Sequence, residues 1–532
     1  MKNSYEYILK EKSMKGKILL SFIIILTVLL GVSCSRKASD PHSTAGGRIL
    51  NVKDNPWEGT DMYQCVGWTD FQTVISDTVL SKNPHTGQLQ PGIASAWSIS
   101  TDGLELRLTF PEGMRFATGQ PLDPEDFIAS IEYGRDGMYS EGYENIERME
   151  VDGRDVICYL SEYSSDLEYF LSGCFIGIIS RSQLETMTKE ELLWGAVPYG
   201  GFYVENYIQG SEVMLRPNPY YKTHNPIIQN PGAPYLGGIR VNVTEMEDFT
   251  VVTSLKEGVF DYVNSPSSEV IKELRGAPNV TIKESTFPNI EFIEINANSR
   301  HLSDRRVRLA LFLLVNRASF QRMSGDDLLP AYALIFNTVF NYSKEAEDYF
   351  KANYANNTER AMQLLEEAGY RRGSSGYFER NGQVLELSFM VRTAGMSVIV
   401  GQDLQIQLRD AGIRLNLETL DWEYRSERVR SGNYDMSISS LGWGEPILLL
   451  HNFRTGPGAI PNEAEYTRKV TQCARTIDYD KRTELVTALQ KEIFDDLNCM
   501  PIYSEVLYVA YGPGAEGVKV FPNADTYFAD IR

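Results

Sequence analysis

Residue types that could make or break bonds are scattered through this 532-residue chain without the spacing such chemistry needs. The five histidines (His42, His85, His224, His301 and His451) show no metal-ligand spacing, and neither a nucleophile elbow nor a phosphate loop occurs. Gly512-Pro513-Gly514-Ala515-Glu516-Gly517 fits G-x-G-x-x-G, but too little chain follows it to complete a dinucleotide-binding unit. With 71 acidic residues two carboxylates can meet by chance, yet nothing sets a pair at glycosidase separations. Cys65, Cys158, Cys174, Cys473 and Cys499 form no C-x-x-C pair, so buried thiols are expected; a Cys158–Cys174 bridge stays open. The better candidates lie from Leu420 to Phe453, where Trp422 and the run Gly442-Trp443-Gly444-Glu445-Pro446 occur. Loop tryptophans offer large, rigid contact area, and a carboxylate can pair with an ammonium. That is the chemistry of holding a ligand, with packing beneath the loop as the competing reading. No cofactor and no catalysis are expected.

The elements that position these residues are marked by turn and cap chemistry. Trp97 to Ile99 and Leu104 to Phe110 alternate like half-buried strands around the turn Thr101-Asp102-Gly103. Asp123 can cap the next helix, with Pro124 at its first position, Glu125 and Asp126 at its positive end, and Phe127, Ile128 and Ile131 facing inward. Val74 to Leu80 is an apolar run that fits a helix or a strand. Ile239 to Val243, Phe249 to Leu255 with Gly258 behind it, and the short strand after that read as strand, helix, strand, favouring an α/β sheet. After Phe287-Pro288 a second such lobe begins, with a strand at Phe292 to Ala297 and a helix capped at Ser303-Asp304. Helices at Thr358 to Ala368 and Val400 to Ala411 end at Gly369 and Gly412, and a strand from Arg414 to Leu420 follows the second. Asp478 to Leu497 is a long helix and Met500 to Ala510 a strand.

From Pro91 and Trp97 through Asp102-Gly103, Phe110, Gly113-x-x-Phe116 and Gly119-x-Pro121 to the acidic helix start, the chain resembles the extracellular solute-binding proteins of peptide and nickel ABC importers. Val197 to Tyr203 with Arg216 to Tyr221, the segment from Asp304 (with Asn316-Arg317 where the family has Asp-Arg), Ala361 to Tyr370 and Gly432 to Trp443 are similar to later signatures of that family, so the resemblance runs from about Ile49 to Val518. It implies a two-lobed α/β fold of the periplasmic-binding-protein kind (type II, Venus-flytrap) with an extra subdomain in the first lobe. It also implies a ligand cleft lined by Trp422, Gly442, Trp443 and Glu445 from the second lobe and by Tyr63, Gln64, Cys65 and Trp68 from the first. Peptide-binding members carry an Asp in a longer loop after Gly-Trp, for which Glu445 is the only nearby carboxylate here; burial of Tyr63 and Trp68 in the core is the competing reading.

The N-terminus adds an address. Lys15 and Lys17 precede the apolar run Ile18 to Leu30, which is short for a span and suits a signal peptide starting at Met1 or Met14. Gly31-Val32-Ser33-Cys34 resembles a lipobox with Gly in place of the usual Leu, making Cys34 the expected lipidated residue. The formal charge of −20 argues against nucleic acid as a partner. The expected organisation is a signal peptide at 1–33, a tether at 34–48, lobe I at 49–75, 196–288 and 499–532, the extra subdomain at 76–195 and lobe II at 289–498. The expected protein is a lipid-anchored monomer outside the cytoplasm that captures an oligopeptide, or another small solute such as a saccharide or metal chelate, for an ABC permease and ATPase. A sensor without an importer and an extracytoplasmic hydrolase are the alternatives.

Overall fold

The computed structural model describes residues 47–532 except 66–69, 174, 287–288, 394, 443, 454–462 and 522–525. The export signal, Cys34 and the tether up to residue 46 lie outside the described residues. No helix among those described is long and apolar enough to cross a membrane.

One strand organises the rest. Cys499–Tyr511 pairs through its first half with Asn289–Ile295 and through its second half with Thr281–Thr286 and Tyr262–Asn264. It thereby joins two half-sheets into a sheet of twelve strands among the described residues. On one side lie Asn289–Ile295, Met436–Gly442, Glu386–Arg392 and Arg414–Leu420; on the other lie Tyr262–Asn264, Ile49–Lys53, Gly238–Asn242, Glu212–Pro217 and Phe202–Ile208. The crossing strand is buried at both ends, but Glu505, Val506 and Leu507 in its middle are only half-buried. Pro501, which cannot donate to a ladder, sits opposite Phe292, where the register with Asn289–Ile295 shifts.

Each half-sheet has its own apolar packing. Side chains alternate across a strand, so Tyr262, Val509 and Tyr511 enter the core on one face of lobe I while Val263, Tyr508 and Ala510 enter the core on the other. Lobe II is built around Phe292, Leu311, Phe350, Phe389 and Phe494 in one large core. The extra subdomain has a four-stranded antiparallel sheet, Ala96–Ile99, Glu105–Thr109, Asp155–Leu160 and Ile146–Asp152, against the helix Pro124–Gly134. Asp126 secures that helix: Oδ2 accepts from Asp123 N at 2.8 Å and Oδ1 from Arg181 N at 2.7 Å, tying it to the helix Arg181–Thr186. The subdomain core also takes in Tyr199, Tyr221 and, from lobe II, Phe340.

The apolar run from Val74 to Leu80 is not one element. A 3-10 turn, Asp70–Ile75, and a short strand, Leu80–Lys82, flank a bend in which Asp77 N donates to Tyr199 O at 2.8 Å. Cys158 is a free, buried thiol, and Cys174 lies outside the described residues.

Asp77 is a half-buried residue at this seam, its carboxylate accepting from Tyr221 Oη at 2.7 Å, and desolvation pushes its pKa up to about 7 against that hydrogen bond. Its folded pKa lies above the unfolded value of about 4, so its contribution to stability is largest below about pH 4 and is lost as pH rises to about 7. Melting temperatures measured between these limits should fall with pH in the wild type, and Asp77→Asn should flatten that part of the profile.

Candidate functional site: the sheet edge at the lobe crossing

Glu386–Arg392 runs parallel to both Arg414–Leu420 and Met436–Gly442, so the three strands end at one edge of lobe II's sheet. Arg392 is paired with Leu420, and Gly442 with Asn289, the first described residue after the chain enters lobe II. The carboxyl ends of parallel strands are where open α/β sheets leave a crevice. Here that edge faces the crossing strand, which contributes Tyr503 and Glu505.

Charges gather along this edge. Arg392 holds Glu291 through two hydrogen bonds of 3.0 Å each, Nη1 to Oε2 and Nη2 to Oε1. The Glu291 side chain is 2% exposed and that of Arg392 29%, so a buried carboxylate meets a partly exposed arginine. Burial works against the Arg392 charge, but Glu291, Tyr503 and Glu505 hold it protonated. Burial and the Glu291 charge push the Glu505 carboxyl above its ordinary range, with Arg392 opposing them. Behind the edge, Arg425 donates to Ile438 O at 2.5 Å, Ser437 Oγ at 3.1 Å and Ser439 Oγ at 3.2 Å, while Ser439 Oγ donates to Glu294 Oε1 at 2.5 Å. A guanidinium has five N–H donors in a planar fork, so the Glu291 pair does not exhaust Arg392. The arrangement suits recognition of a carboxylate or another planar anion. None of this was anticipated from sequence, although charges inside the apolar strands Asn289–Ile295 and Glu386–Arg392 were its visible signal.

The anticipated residues occupy two settings. Gly442 is exposed at the end of its strand, and Trp422 begins the helix Trp422–Arg430 at the same sheet edge, 69% exposed behind its N-cap Asp421. Trp443 and Trp68 lie outside the described residues. Tyr63, Gln64 and Cys65 pack within the first lobe and its subdomain: Tyr63 Oη donates to Gly177 O at 2.7 Å, and Gln64 Nε2 donates to Asp61 Oδ2 at 2.6 Å and Lys189 O at 2.8 Å. Burial, with Asp61 and Glu58 adding to it, pushes the Cys65 thiol up to about 12, which leaves it without thiolate character.

Glu445, expected to meet a ligand's ammonium, is turned inward instead. It is 1% exposed and caps the helix Pro446–Asn452, its Oε2 accepting from Ile447 N and from Leu448 N at 3.0 Å. Its Oε1 accepts from Ser165 Oγ of the extra subdomain at 3.1 Å. Pro446 at the first helical position makes the preceding residue the cap, and a cap carboxylate is held by backbone donors rather than offered to solvent.

Residues 88–457 match the model of the bacterial extracellular solute-binding proteins, family 5 (middle). The chain belongs to this family. Among curated relatives of this family 5 protein, the oligopeptide-binding protein AppA of Bacillus subtilis strain 168 is 21% identical, with 96% of this chain and 97% of the relative covered. The di/tripeptide-binding protein 2 of Pseudomonas aeruginosa strain UCBPP-PA14 is 22% identical over 84% of this chain and 87% of its own. The solved structure of NikA from Brucella suis in complex with Fe(III)-EDTA superposes with a TM-score of 0.75 at 19% identity, covering 91% of this chain and 99% of that one. This family 5 protein is thus a two-lobed solute-binding protein of the peptide and nickel ABC transporter class, acting outside the cytoplasm.

Removing one partner of the Arg392–Glu291 pair leaves a buried charge unpaired. Arg392→Met should destabilise the protein by about 3 kcal/mol in equilibrium unfolding, and adding Glu291→Gln should restore most of the loss.

Proposed function

We propose that the solute is a short peptide, or another molecule with a free carboxylate, captured between lobe II and the rest of the chain and handed to an ABC permease and its ATPase. The observation that carries this reading is the partly exposed Arg392 side chain, its guanidinium oriented by buried Glu291 at the edge where the lobes cross. A ligand carboxylate would take donors that Glu291 does not use, while the exposed Trp422 provides apolar surface at the same sheet edge. An extended backbone could add main-chain hydrogen bonds along the strand ends. Contacts from both sides favour the closed form by their differential affinity for it, which is a population shift. In this reading residues 289–498 move as one lobe, Glu445 serves as a helix cap, and Tyr63, Gln64 and Cys65 support the wall of the first lobe.

The peptide-binding relatives support the peptide assignment. A polycarboxylate metal chelate is the second reading, favoured by the Fe(III)-EDTA held by the Brucella suis neighbour, since a chelate presents the same carboxylates to the same guanidinium. We also take Cys34 as the lipidated residue and 34–48 as a tether, holding a monomer at the outer face of the membrane.

Native mass spectrometry of residues 36 onward, purified mildly and then denatured, should release a peptide mixture. A single chelate would replace the peptide assignment, and conversion of added peptides or glycans to products would overturn the binding reading. Arg392→Gln should release less carboxylate-bearing ligand. In cells, Cys34→Ser should move the protein from the membrane to the soluble fraction; an unchanged membrane fraction would contradict lipid anchoring.

A further inference from the structure

A second contact between the extra subdomain and lobe II lies apart from the Arg392 edge and is built on charge. The subdomain helix Ser165–Ser172 faces lobe II's helices Pro446–Asn452 and Tyr479–Asp496. Phe340 of lobe II is buried in the subdomain core beside Tyr169, and Gly444 N donates to Tyr169 Oη at 3.3 Å. Arg482, 2% exposed, donates to Glu168 Oε2 at 2.9 Å and to Tyr163 Oη at 3.0 Å. Arg475 pairs with Glu162 at the rim.

Within this contact two carboxyls meet. Glu445 comes from lobe II and Asp166 from the subdomain; Ser165, next to Asp166, donates to Glu445 Oε1 at 3.1 Å, and the two carboxyls interact across the contact. Among the described residues, buried Asp166 Oδ1 has no hydrogen-bond donor of another kind. Glu445 already accepts from Ile447 N, Leu448 N and Ser165 Oγ. Burial and the partner's charge raise the affinity of Glu445 for a proton, and burial raises that of Asp166. The other groups facing the pair are Ser164, Ser165 and Tyr169 on the subdomain side, His451 on Glu445's own helix, Cys473 on the helix Glu463–Ala474, and Arg482, whose charge is shared with Glu168.

We infer that Asp166 and Glu445 form a proton-sharing clasp, so that closing lobe II onto the extra subdomain takes up one proton from solvent and opening releases it. The inference rests on the reading that lobe II moves against the remainder of the chain. When open, both carboxylates are hydrated and ionised, and the pair carries two negative charges. When closed, one proton sits between their oxygens and the pair carries one. The sign follows: the closed pair holds its proton to higher pH than the open pair, so closure is favoured at low pH. It weakens as pH rises from the ordinary carboxylate range through the raised value of the closed pair. Such a clasp would tie the grip on a solute to the acidity outside the cell.

The test places spin labels at Glu147→Cys on the subdomain and Glu359→Cys on lobe II, both exposed positions, in the full chain in detergent, and measures their distance distribution across pH. The ratio of closed to open forms should fall by up to about tenfold per pH unit over the titration, as one linked proton requires. Glu445→Gln and Asp166→Asn, made separately so that one poorly folded variant does not decide the matter, should each reduce this to less than about twofold, whereas His451→Gln should keep it. A response that survives in both carboxyl variants, or vanishes only in His451→Gln, overturns the clasp. Two distances with a ratio independent of pH overturn the clasp but leave the moving lobe intact. One unchanging distance in every variant overturns the lobe movement and the clasp together.

Discussion

A single strand, Cys499–Tyr511, belongs to both lobes, and the site depends on what that membership allows. Its ends are locked by ladders to Asn289–Ile295 on one side and to Thr281–Thr286 and Tyr262–Asn264 on the other. Glu505, Val506 and Leu507, which pair with Leu328, Thr286 and Ser285, are only half-buried. A strand can bend or twist where few side chains are packed, and it resists where both faces are covered. In the proposed reading lobe II turns at this less buried middle of the strand. Because the chain enters lobe II beside the same strand, the carboxyl ends of lobe II's parallel strands are carried to the crossing.

The charged residues at the lobe boundary follow from that geometry. A buried ion pair contributes little net stability because desolvation offsets its attraction, but it fixes orientation strongly. Arg392 and Glu291 fit that description: the carboxylate is buried, the arginine partly exposed, and two hydrogen bonds fix the plane of the fork. In the proposed reading Arg392 is a donor preset for the solute, and a group ordered before the ligand arrives lowers the entropy lost on binding. The Arg482–Glu168 pair orders the other lobe contact in the same way.

Much of the framework was legible because local signals agreed. The strand Arg414–Leu420, the helix Tyr479–Asp496 behind its cap Asp478, and the left-handed Gly412 ending the helix Met396–Ala411 follow from periodicity and cap chemistry within a few residues. The run from Val74 to Leu80 misled because its apolar residues serve a seam between lobe I and the subdomain, and no single periodicity describes a seam. Glu445 illustrates the larger limit. It caps the helix that starts at Pro446, but its partner Ser165 lies 280 residues away, and only tertiary packing turns the carboxylate inward. Arg392 and Glu291 are 101 residues apart and meet through sheet register, which no local pattern encodes.

Small-angle scattering on ligand-stripped protein bears most directly on the claim that lobe II closes about the crossing strand on a carboxylate-bearing solute. The radius of gyration would be recorded alone, with a mixture of short peptides carrying free carboxyl termini, and with the same peptides amidated. The account predicts compaction with the free-carboxylate mixture and little or none with the amidated one. Equal compaction by both would remove Arg392 from recognition, and no compaction with any peptide or polycarboxylate chelate would contradict closure on such a solute.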